Sequence, residues 1–337
     1  MRIQCEDCRA FTSEGCHPAS FTPGKYSDPV AMATGDALRR LNPVLCSLEN
    51  DMSNSEPPII LIGMPRSGTT WLGDALSHAA DVAYWKEPRQ VWCYGNYFQP
   101  DDVLTEEHAT DRVKNYIRRR FAAFTLSHGA LRFCEKTPSN CLRIRFVHEV
   151  FPDAKFIFLI RDGRAVFQSS RGMQEQIITW KRIRARITES SVREFPAFLQ
   201  TLPGLWSKIL GRPLQHWGIR PPGWKKWPEY LTPNQITARQ WADSMEIALR
   251  DMESVPEEQR IFMRYEELMK DPLFHAGRLV DFLGIEDRQS VERFIRETAR
   301  PARAAAWNQE IAPQCLEEIR PITEPALLKL GYSWEPK

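Results

Sequence analysis

"IILIGMPRSGTTW", residues 59–71, carries the pattern that decides the fold. Its apolar start predicts a buried strand, and Gly63 and Gly68 are spaced as in the phosphate-binding loop G-x-x-x-x-G-K-[ST]. Thr70 occupies the Ser/Thr position of that loop, but Thr69 stands where the loop has its lysine. A loop of this kind in front of a helix predicts a site for an anionic group, because its amides and the helix N-terminus attract negative charge.

Arg66 brings a positive charge into this loop at a different place. In nucleoside triphosphatases the loop lysine contacts the β- and γ-phosphates, so Thr69 at its position counts against triphosphate hydrolysis. A purely structural turn would explain the two glycines, but it would not explain an arginine together with the hydroxyls of Ser67, Thr69 and Thr70. The loop therefore predicts an anion other than a nucleoside triphosphate.

Length and composition favour a single large α/β domain. The chain has 337 residues, of which 42% are hydrophobic and 26% are charged, and this is sufficient for a sizeable core. A net charge of +2 is too small to predict a nucleic-acid partner. Eight cysteines at irregular spacing favour reduced thiols, and no apolar run reaches the length of a membrane span. We therefore expect a cytoplasmic protein without a membrane span.

Residues 1–56 differ from the remainder, since Ser, Thr, Pro and Gly interrupt any periodic apolar pattern. Cys5, Cys8, Cys16 and His17 form a loose group of potential zinc ligands, but a second well-spaced pair is missing. We expect a disordered N-terminal tail here and no metal site.

Apolar runs alternate with helical patterns along the rest of the chain, residues 57–337. The further runs are 82–85, 156–160 and 261–265, and the helical patterns are about 139–150, 164–175, 233–252 and 273–283. This alternation predicts a P-loop-like parallel sheet flanked by helices. Thr232 as N-cap, Pro233 and Gln235 predict a capping box at the start of one helix.

An insertion is predicted at about 176–231, where Arg and Lys cluster and Trp217, Trp224 and Trp227 lie among prolines. Two interpretations stay open. The segment is either a loop that packs its own tryptophans or a wall over the pocket of an acceptor.

A second candidate anion site lies in "FIFLIRDGRAVFQSS", residues 156–170. A buried-type strand ends at Arg161, and Ser169 follows eight residues later, beyond a turn at Asp162 and Gly163. Because ligands bind at the C-terminal ends of parallel strands, this segment and the loop with Arg66 are expected at the same edge of the sheet.

Together these segments resemble the sulfotransferase family that uses 3′-phosphoadenosine 5′-phosphosulfate (PAPS). "PRSGTTW" at 65–71 is similar to the family's 5′-phosphosulfate loop, and "RDGRAVFQS" at 161–169 to its 3′-phosphate segment. Both resemble the tyrosylprotein and bacterial branches more than the cytosolic phenol and steroid enzymes. The resemblance implies the sulfotransferase fold and PAPS as the sulfuryl donor. The donor-binding residues that it implies are Arg66, Ser67, Gly68, Thr69, Thr70, Trp71, Arg161, Ser169 and Tyr265.

The resemblance also implies a catalytic group. In "YWKEPRQ", Glu87 matches the general base of the tyrosylprotein branch and Arg89 its acceptor-binding arginine, and in "EKTPSN" Lys136 matches a lysine that acts on the bridging oxygen together with Arg66. An ion pair of Glu87 with Lys86 or Arg89 is the plain structural alternative. Cytosolic relatives use histidine as the base, so His108 and His128 are the second candidates.

The C-terminal part departs from the family pattern. Many relatives have a basic Lys-Trp-Arg stretch against the 3′-phosphate, whereas this chain has "AAAWNQE" and retains only Trp307. Arg300 or Arg303 would have to supply the missing charge.

The resemblance implies in-line sulfuryl transfer from PAPS to a hydroxyl, with an amine as the second acceptor group, and no required metal. A small molecule, carbohydrate, lipid or peptide could be the acceptor, and the sequence does not specify the oligomeric state. Two other functions stay open. An ATP-dependent small-molecule kinase would need Mg²⁺ and lacks the loop lysine, and a non-catalytic PAP- or PAPS-binding protein would bind the nucleotide without turnover.

Overall fold

The fold is taken from a computed structural model, and the structure describes residues 56–171, 218–305 and 307–335. Five strands form one sheet: β1 (Ile59–Ile62), β2 (Val82–Lys86), β3 (Arg132–Lys136), β4 (Lys155–Ile160) and β5 (Arg260–Arg264). They are all parallel, in the order β2-β3-β1-β4-β5. Their C-terminal ends therefore share one edge of the sheet.

Helices cover both faces of this sheet. They are α1 (Thr69–Leu76), α2 (Arg89–Trp92), α3 (Asp111–Ser127), α4 (Ile144–Val150), α5 (Gly163–Arg171), α6 (Pro233–Met252), α7 (Tyr265–Lys270), α8 (Pro272–Leu283), α9 (Arg288–Thr298), α10 (Ala302–Ala305), α11 (Trp307–Glu310) and α12 (Pro313–Lys329). Short 3₁₀ turns lie at Glu106–His108, Pro138–Leu142, Trp224–Glu229 and Glu257–Gln259.

Strand β1 lies at the centre of the core. Its four side chains are fully buried and alternate between two hydrophobic clusters, because successive residues of a strand face opposite sides of the sheet. Ile60 and Ile62 pack with the aromatic residues of α3 and α4, whereas Ile59 and Leu61 pack with α1, α8 and α9. A strand buried on both faces is typical of a doubly covered parallel sheet, so the predicted fold class is confirmed.

Most predicted elements have close counterparts, with three corrections. Tyr265 was predicted as a strand residue and instead begins α7. The predicted helix at about 139–150 is a 3₁₀ turn followed by α4, because the backbone of Arg143 leaves the helical region between them. Strand β3 was not predicted, since three of its five residues are charged. The predicted N-terminal tail, except Glu56, residues 172–175 of the predicted helix at about 164–175 and residues 176–217 of the predicted insertion lie outside the described residues.

The predicted capping box at the start of α6 is present. The hydroxyl of Thr232 accepts from the amide of Gln235 at 3.2 Å, and the Gln235 side chain accepts from the amide of Thr232 at 3.1 Å. The Thr232 hydroxyl also donates to Glu318 of α12, so the cap joins two packed helices.

Replacing Thr232 with Ala should lower the free energy of unfolding by about 1 to 2 kcal/mol, because both the cap and the contact with Glu318 are lost. Thr232→Ser retains the oxygen and should stay near the unmodified protein. Denaturant unfolding of the three proteins measures the difference, and equal stabilities of Thr232→Ala and Thr232→Ser would contradict a role for this cap.

Candidate functional site

The loop after β1 has the shape of an anion-binding loop. The amide of Ser67 donates to the carbonyl of Met64 at 3.1 Å, and α1 begins directly after Gly68. Ser67 and Thr69 are buried, and the Ser67 hydroxyl has no hydrogen-bond partner among the described residues. A buried hydroxyl without a partner is costly, so this atom is available for a ligand oxygen.

Tyr265, at the start of α7, closes one side of this loop. Gly68 has φ of 92°, and a Cβ added to it would lie 2.7 Å from the Tyr265 ring. Glycine is therefore required at this position both for its left-handed backbone and for the close approach of the ring. The guanidinium of Arg161 lies 4.5 Å from the centre of the same ring, within the range of a cation–π contact.

Arg66 joins the two predicted anion-binding segments. Its Nε donates to the hydroxyl of Ser169 at 2.8 Å, and its carbonyl accepts from Arg161 Nη1 at 2.6 Å. Arg66 has φ of 71°, an uncommon backbone conformation for a residue other than glycine. The structure thus brings Arg66, Arg161 and Ser169 together at the C-terminal edge of the sheet.

The charge of Arg161 is not fully compensated by its surroundings. Burial and the nearby Arg66 lower the pKa of Arg161, and this effect outweighs Tyr265 and Glu266, which favour the cation. Its Nε is buried without a hydrogen-bond partner in the described part of the chain. An anion placed here would satisfy the free N–H and stabilise the guanidinium charge.

The C-terminal segment borders the same edge. Arg161 Nη2 donates to the carbonyl of Arg303 at 3.2 Å, and Trp71 Nε1 donates to Thr298 at 2.9 Å. Arg300 is exposed, and its guanidinium donates to carbonyls at the end of α9. Trp307 is buried, with the guanidinium of Arg164 4.4 Å from its ring centre. The side chains of Trp71, in α1, and of Arg161 are therefore both in contact with this segment.

Glu87 and Lys136 form an ion pair across the ends of β2 and β3. Lys136 Nζ lies 2.5 Å from Glu87 Oε1, and the Glu87 amide donates to the Lys136 carbonyl at 2.9 Å. Lys136 is almost completely buried, whereas the Glu87 side chain is 36% exposed. The partner of Glu87 is thus Lys136 rather than Lys86 or Arg89. Glu87 also has φ of 58°, so its backbone, like that of Arg66, is left-handed.

Arg89 lies two residues beyond Glu87 and is held by Asp102. Its Nη2 donates to both carboxylate oxygens of Asp102, at 2.8 and 3.1 Å. Arg220, near the end of the predicted insertion, donates to the same carboxylate at 2.7 Å. Burial raises the pKa of Asp102, but the two arginines outweigh this and hold the pKa below its usual value. Arg220, at the described end of the predicted insertion, is therefore held close to Arg89 by the carboxylate that both bind.

A buried network around Glu135 was missed by the sequence analysis. Its carboxylate accepts from Trp92 Nε1 at 3.1 Å, Thr137 Oγ1 at 2.9 Å and Asn140 Nδ2 at 2.6 Å. Burial raises the pKa of Glu135 to about 7, although these hydrogen bonds and the charge of Arg143 oppose the rise. A glutamate directly before Lys136, followed by three polar residues within five positions, was the available signal.

The two candidate histidines have different positions. His128 is exposed at the C-terminus of α3, and β3 begins shortly after it, so it lies at the N-terminal edge of the sheet, away from Glu87. His108 lies in the 3₁₀ turn Glu106–His108, where its Nδ1 accepts from the amide of Thr105 at 3.0 Å. The contacts of Arg66 described above, with Ser169 and Arg161, do not include either histidine.

Within residues 56–171, 218–305 and 307–335, no group of His, Cys, Asp and Glu side chains could hold a metal ion. The candidate zinc ligands Cys5, Cys8, Cys16 and His17 lie outside this part of the chain. No helix among the described residues is long and apolar enough to cross a bilayer.

A sulfotransferase family model and curated sulfotransferases match this chain. Residues 57–210 match a model described as the sulfotransferase family. A protein-tyrosine sulfotransferase of Drosophila melanogaster is 35% identical over 127 residues, covering 34% of this chain and 26% of that protein. Protein-tyrosine sulfotransferase A of Caenorhabditis elegans is 23% identical over 321 residues, covering 84% of this chain and 69% of that protein.

The first three curated relatives are covered over only 26%, 44% and 36% of their own lengths. Among solved structures, the sulfotransferase domain from the curacin biosynthetic pathway has a TM-score of 0.50 at 16% identity. It covers 82% of this chain and 98% of that domain, and at this identity the likeness concerns the fold alone.

The pKa of Glu135 generates a prediction about stability. A carboxyl whose pKa rises from 4.5 in the unfolded chain to about 7 in the folded protein binds protons more tightly when folded. It therefore stabilises the fold fully below about pH 4.5, and this contribution, about 3 kcal/mol, is lost as the pH rises through about 7.

Glu135→Gln cannot titrate, so the difference in unfolding free energy between the two proteins should change with pH in that window and be constant above it. Chemical denaturation from about pH 5 to pH 8 measures both curves. Parallel curves across the whole range would contradict the raised pKa of this carboxyl.

Proposed function

We propose that this chain, which belongs to the sulfotransferase family, transfers a sulfuryl group from PAPS to an acceptor hydroxyl, with an amine as the second candidate group. The observation that carries the proposal is the meeting of two anion-binding segments at Arg66, which contacts both Ser169 and Arg161. PAPS carries anionic groups at both ends of its ribose, so two such segments at one sheet edge are what this donor requires.

The residues present fit the donor. Ser67 and Arg161 each have a buried polar atom without a partner among the described residues, one in each segment. In the proposal the loop amides with Ser67, Thr69 and Thr70 bind the 5′-phosphosulfate, and Arg161 with Ser169 binds the 3′-phosphate. Tyr265 and Trp71 border the adenosine side, and Arg303 or Arg300 adds positive charge.

Catalysis in this proposal consists of positioning and charge stabilisation, as in other in-line transfers through loose transition states. Lys136 and Arg66 stabilise the negative charge that develops on the bridging oxygen as its bond to sulfur breaks. Glu87 accepts the proton that the acceptor hydroxyl loses as its oxygen bonds to sulfur. Because Lys136 Nζ and Glu87 Oε1 lie 2.5 Å apart, the ion pair brings both groups to one reacting centre.

A peptide tyrosine is the first acceptor to test, because the matched relatives are named protein-tyrosine sulfotransferases. Arg89, held next to Glu87 by Asp102, is the proposed acceptor-binding residue, and Arg220 extends its positive charge. Small-molecule, carbohydrate and lipid hydroxyls are the further classes for an acceptor screen.

PAP, the product of the donor, should stabilise this protein selectively. Arg161 and Ser169 are proposed to bind the 3′-phosphate, which ATP lacks. Linkage gives about 2.7 kcal/mol of stabilisation at a PAP concentration 100 times Kd. A thermal-shift series with PAP and with ATP plus Mg²⁺ checks this, and stabilisation by ATP with none by PAP would favour the kinase alternative.

Glu87→Gln should separate binding from chemistry, because the amide retains the shape of the side chain but cannot accept the proton. We expect kcat to fall by about 10²-fold or more while PAP affinity changes little. Lys136→Met should also lower kcat, with some loss of donor affinity.

His108→Asn and His128→Asn are the matched comparisons and should retain turnover. The four variants are measured with one working acceptor. Near-normal turnover in Glu87→Gln would eliminate Glu87 as the general base, and PAP binding without turnover of any acceptor by the unmodified protein would favour the non-catalytic alternative.

A further inference from the structure

We propose that Glu135 is a positioning residue that holds Glu87 and Lys136 in the geometry for transfer by anchoring α2 to the turn after β3. This inference rests on the proposed sulfuryl transfer. Glu135 contacts neither donor nor acceptor in this account, and it acts through the two residues that do.

The position of Glu135 in the sheet supports this role. Neighbouring residues of a strand face opposite sides, so Glu135 points away from the side on which Lys136 meets Glu87. Glu135 is fully buried with Trp92, which lies in the aromatic cluster of Phe121 and Phe146. A carboxylate in such surroundings costs stability unless it is well bonded, so its presence calls for a function beyond packing.

The bonds of Glu135 join the two segments that carry the catalytic pair. Trp92 is the last residue of α2, which begins two residues after Glu87. Thr137 directly follows Lys136, and Asn140 belongs to the 3₁₀ turn that begins at Pro138. One carboxylate therefore connects the chain just beyond Glu87 with the chain just beyond Lys136.

The backbone of Glu87 needs such an anchor. A left-handed conformation is unfavourable for glutamate and persists only where the surroundings hold it. On one side, the Glu87 amide is bonded to the carbonyl of Lys136. On the other side, α2 is fixed by the bond between Trp92 and Glu135. Releasing α2 would allow Glu87 to relax and would move its carboxylate away from Lys136.

The direction of the hydrogen bonds specifies a carboxylate at this position. Arg143 Nε donates to Asn140 Oδ1 at 2.7 Å, and this fixes the Asn140 amide so that its Nδ2 donates to Glu135. Trp92 and Thr137 donate to the other oxygen of Glu135. All three neighbours donate, so the amide nitrogen of a glutamine would face at least one donor. Arg143 is further held by Ser139 at 2.7 Å, and this makes reorientation of Asn140 costly.

The positioning role is tested with three variants. Glu135→Gln and Trp92→Phe each disrupt the hydrogen bond between Trp92 and Glu135, and Phe146→Leu is the control. Phe146 is fully buried and packs against Trp92, so Phe146→Leu disturbs the same cluster without removing a hydrogen bond. The assays are made at about pH 8, above the pKa of Glu135.

We expect kcat to fall about 10- to 100-fold in Glu135→Gln and in Trp92→Phe, with the Kd for PAP unchanged. The double variant should be no slower than the slower single variant, because both changes cut the same link. Phe146→Leu should lose stability but retain kcat. A kcat of Glu135→Gln equal to that of Phe146→Leu would overturn the proposal, and if Glu135→Gln does not fold, Trp92→Phe decides in its place.

Hydrogen exchange provides a measurement that does not depend on activity. The Glu87 amide should exchange about tenfold faster in Glu135→Gln and Trp92→Phe than in Phe146→Leu, while the amides of β1 are unchanged. Unchanged exchange at Glu87 would overturn the positioning role. If the unmodified protein turns over no acceptor, the proposed function fails, and exchange at Glu87 alone then decides whether Glu135 anchors this residue.

Discussion

The candidate site depends on two left-handed backbone positions at one edge of the sheet. Arg66 and Glu87 are the two residues other than glycine with positive φ among those that the structure describes, and each follows a parallel strand. Each is held by the neighbouring segment, through a bond from Arg161 to the Arg66 carbonyl and from the Glu87 amide to the Lys136 carbonyl. Parallel pairing of β2, β3, β1 and β4 brings these four residues to the same edge of the sheet. The position of the candidate site therefore depends on the order of the strands.

The positive charges at this edge of the sheet are paired with carboxylates around Glu87 and Arg89, but not around Arg66 and Arg161. Asp102 neutralises part of the charge of Arg89 and Arg220, and Glu87 pairs with Lys136. Around Arg66 and Arg161, by contrast, the bonds go to hydroxyl and carbonyl oxygens rather than to carboxylates. A polyanionic ligand would supply the missing negative charge there.

The sequence was most informative where a pattern is local. Apolar runs predict β1, β2, β4 and β5, and the spacing of the two motifs predicts that Arg66 and Ser169 lie at one edge. Strand β3 was not predictable, since Arg132, Glu135 and Lys136 are buried only because distant segments supply their partners. Helix α12 was missed because it contains Pro321 and Pro325, which a periodicity argument treats as breaks. The Asp102 network and the bond from Trp92 to Glu135 depend on contacts between distant segments, which spacing along the chain does not reveal.

Arg66, Arg161 and Ser169 are proposed to form one site for a nucleotide with phosphates at both the 3′ and the 5′ positions. Isothermal calorimetry of PAP against adenosine 5′-monophosphate tests it most directly, in the unmodified protein and in Ser169→Ala. We expect the 3′-phosphate to improve affinity by about 10²-fold or more in the unmodified protein, and by clearly less in Ser169→Ala. Equal affinities for the two nucleotides in the unmodified protein would contradict the account.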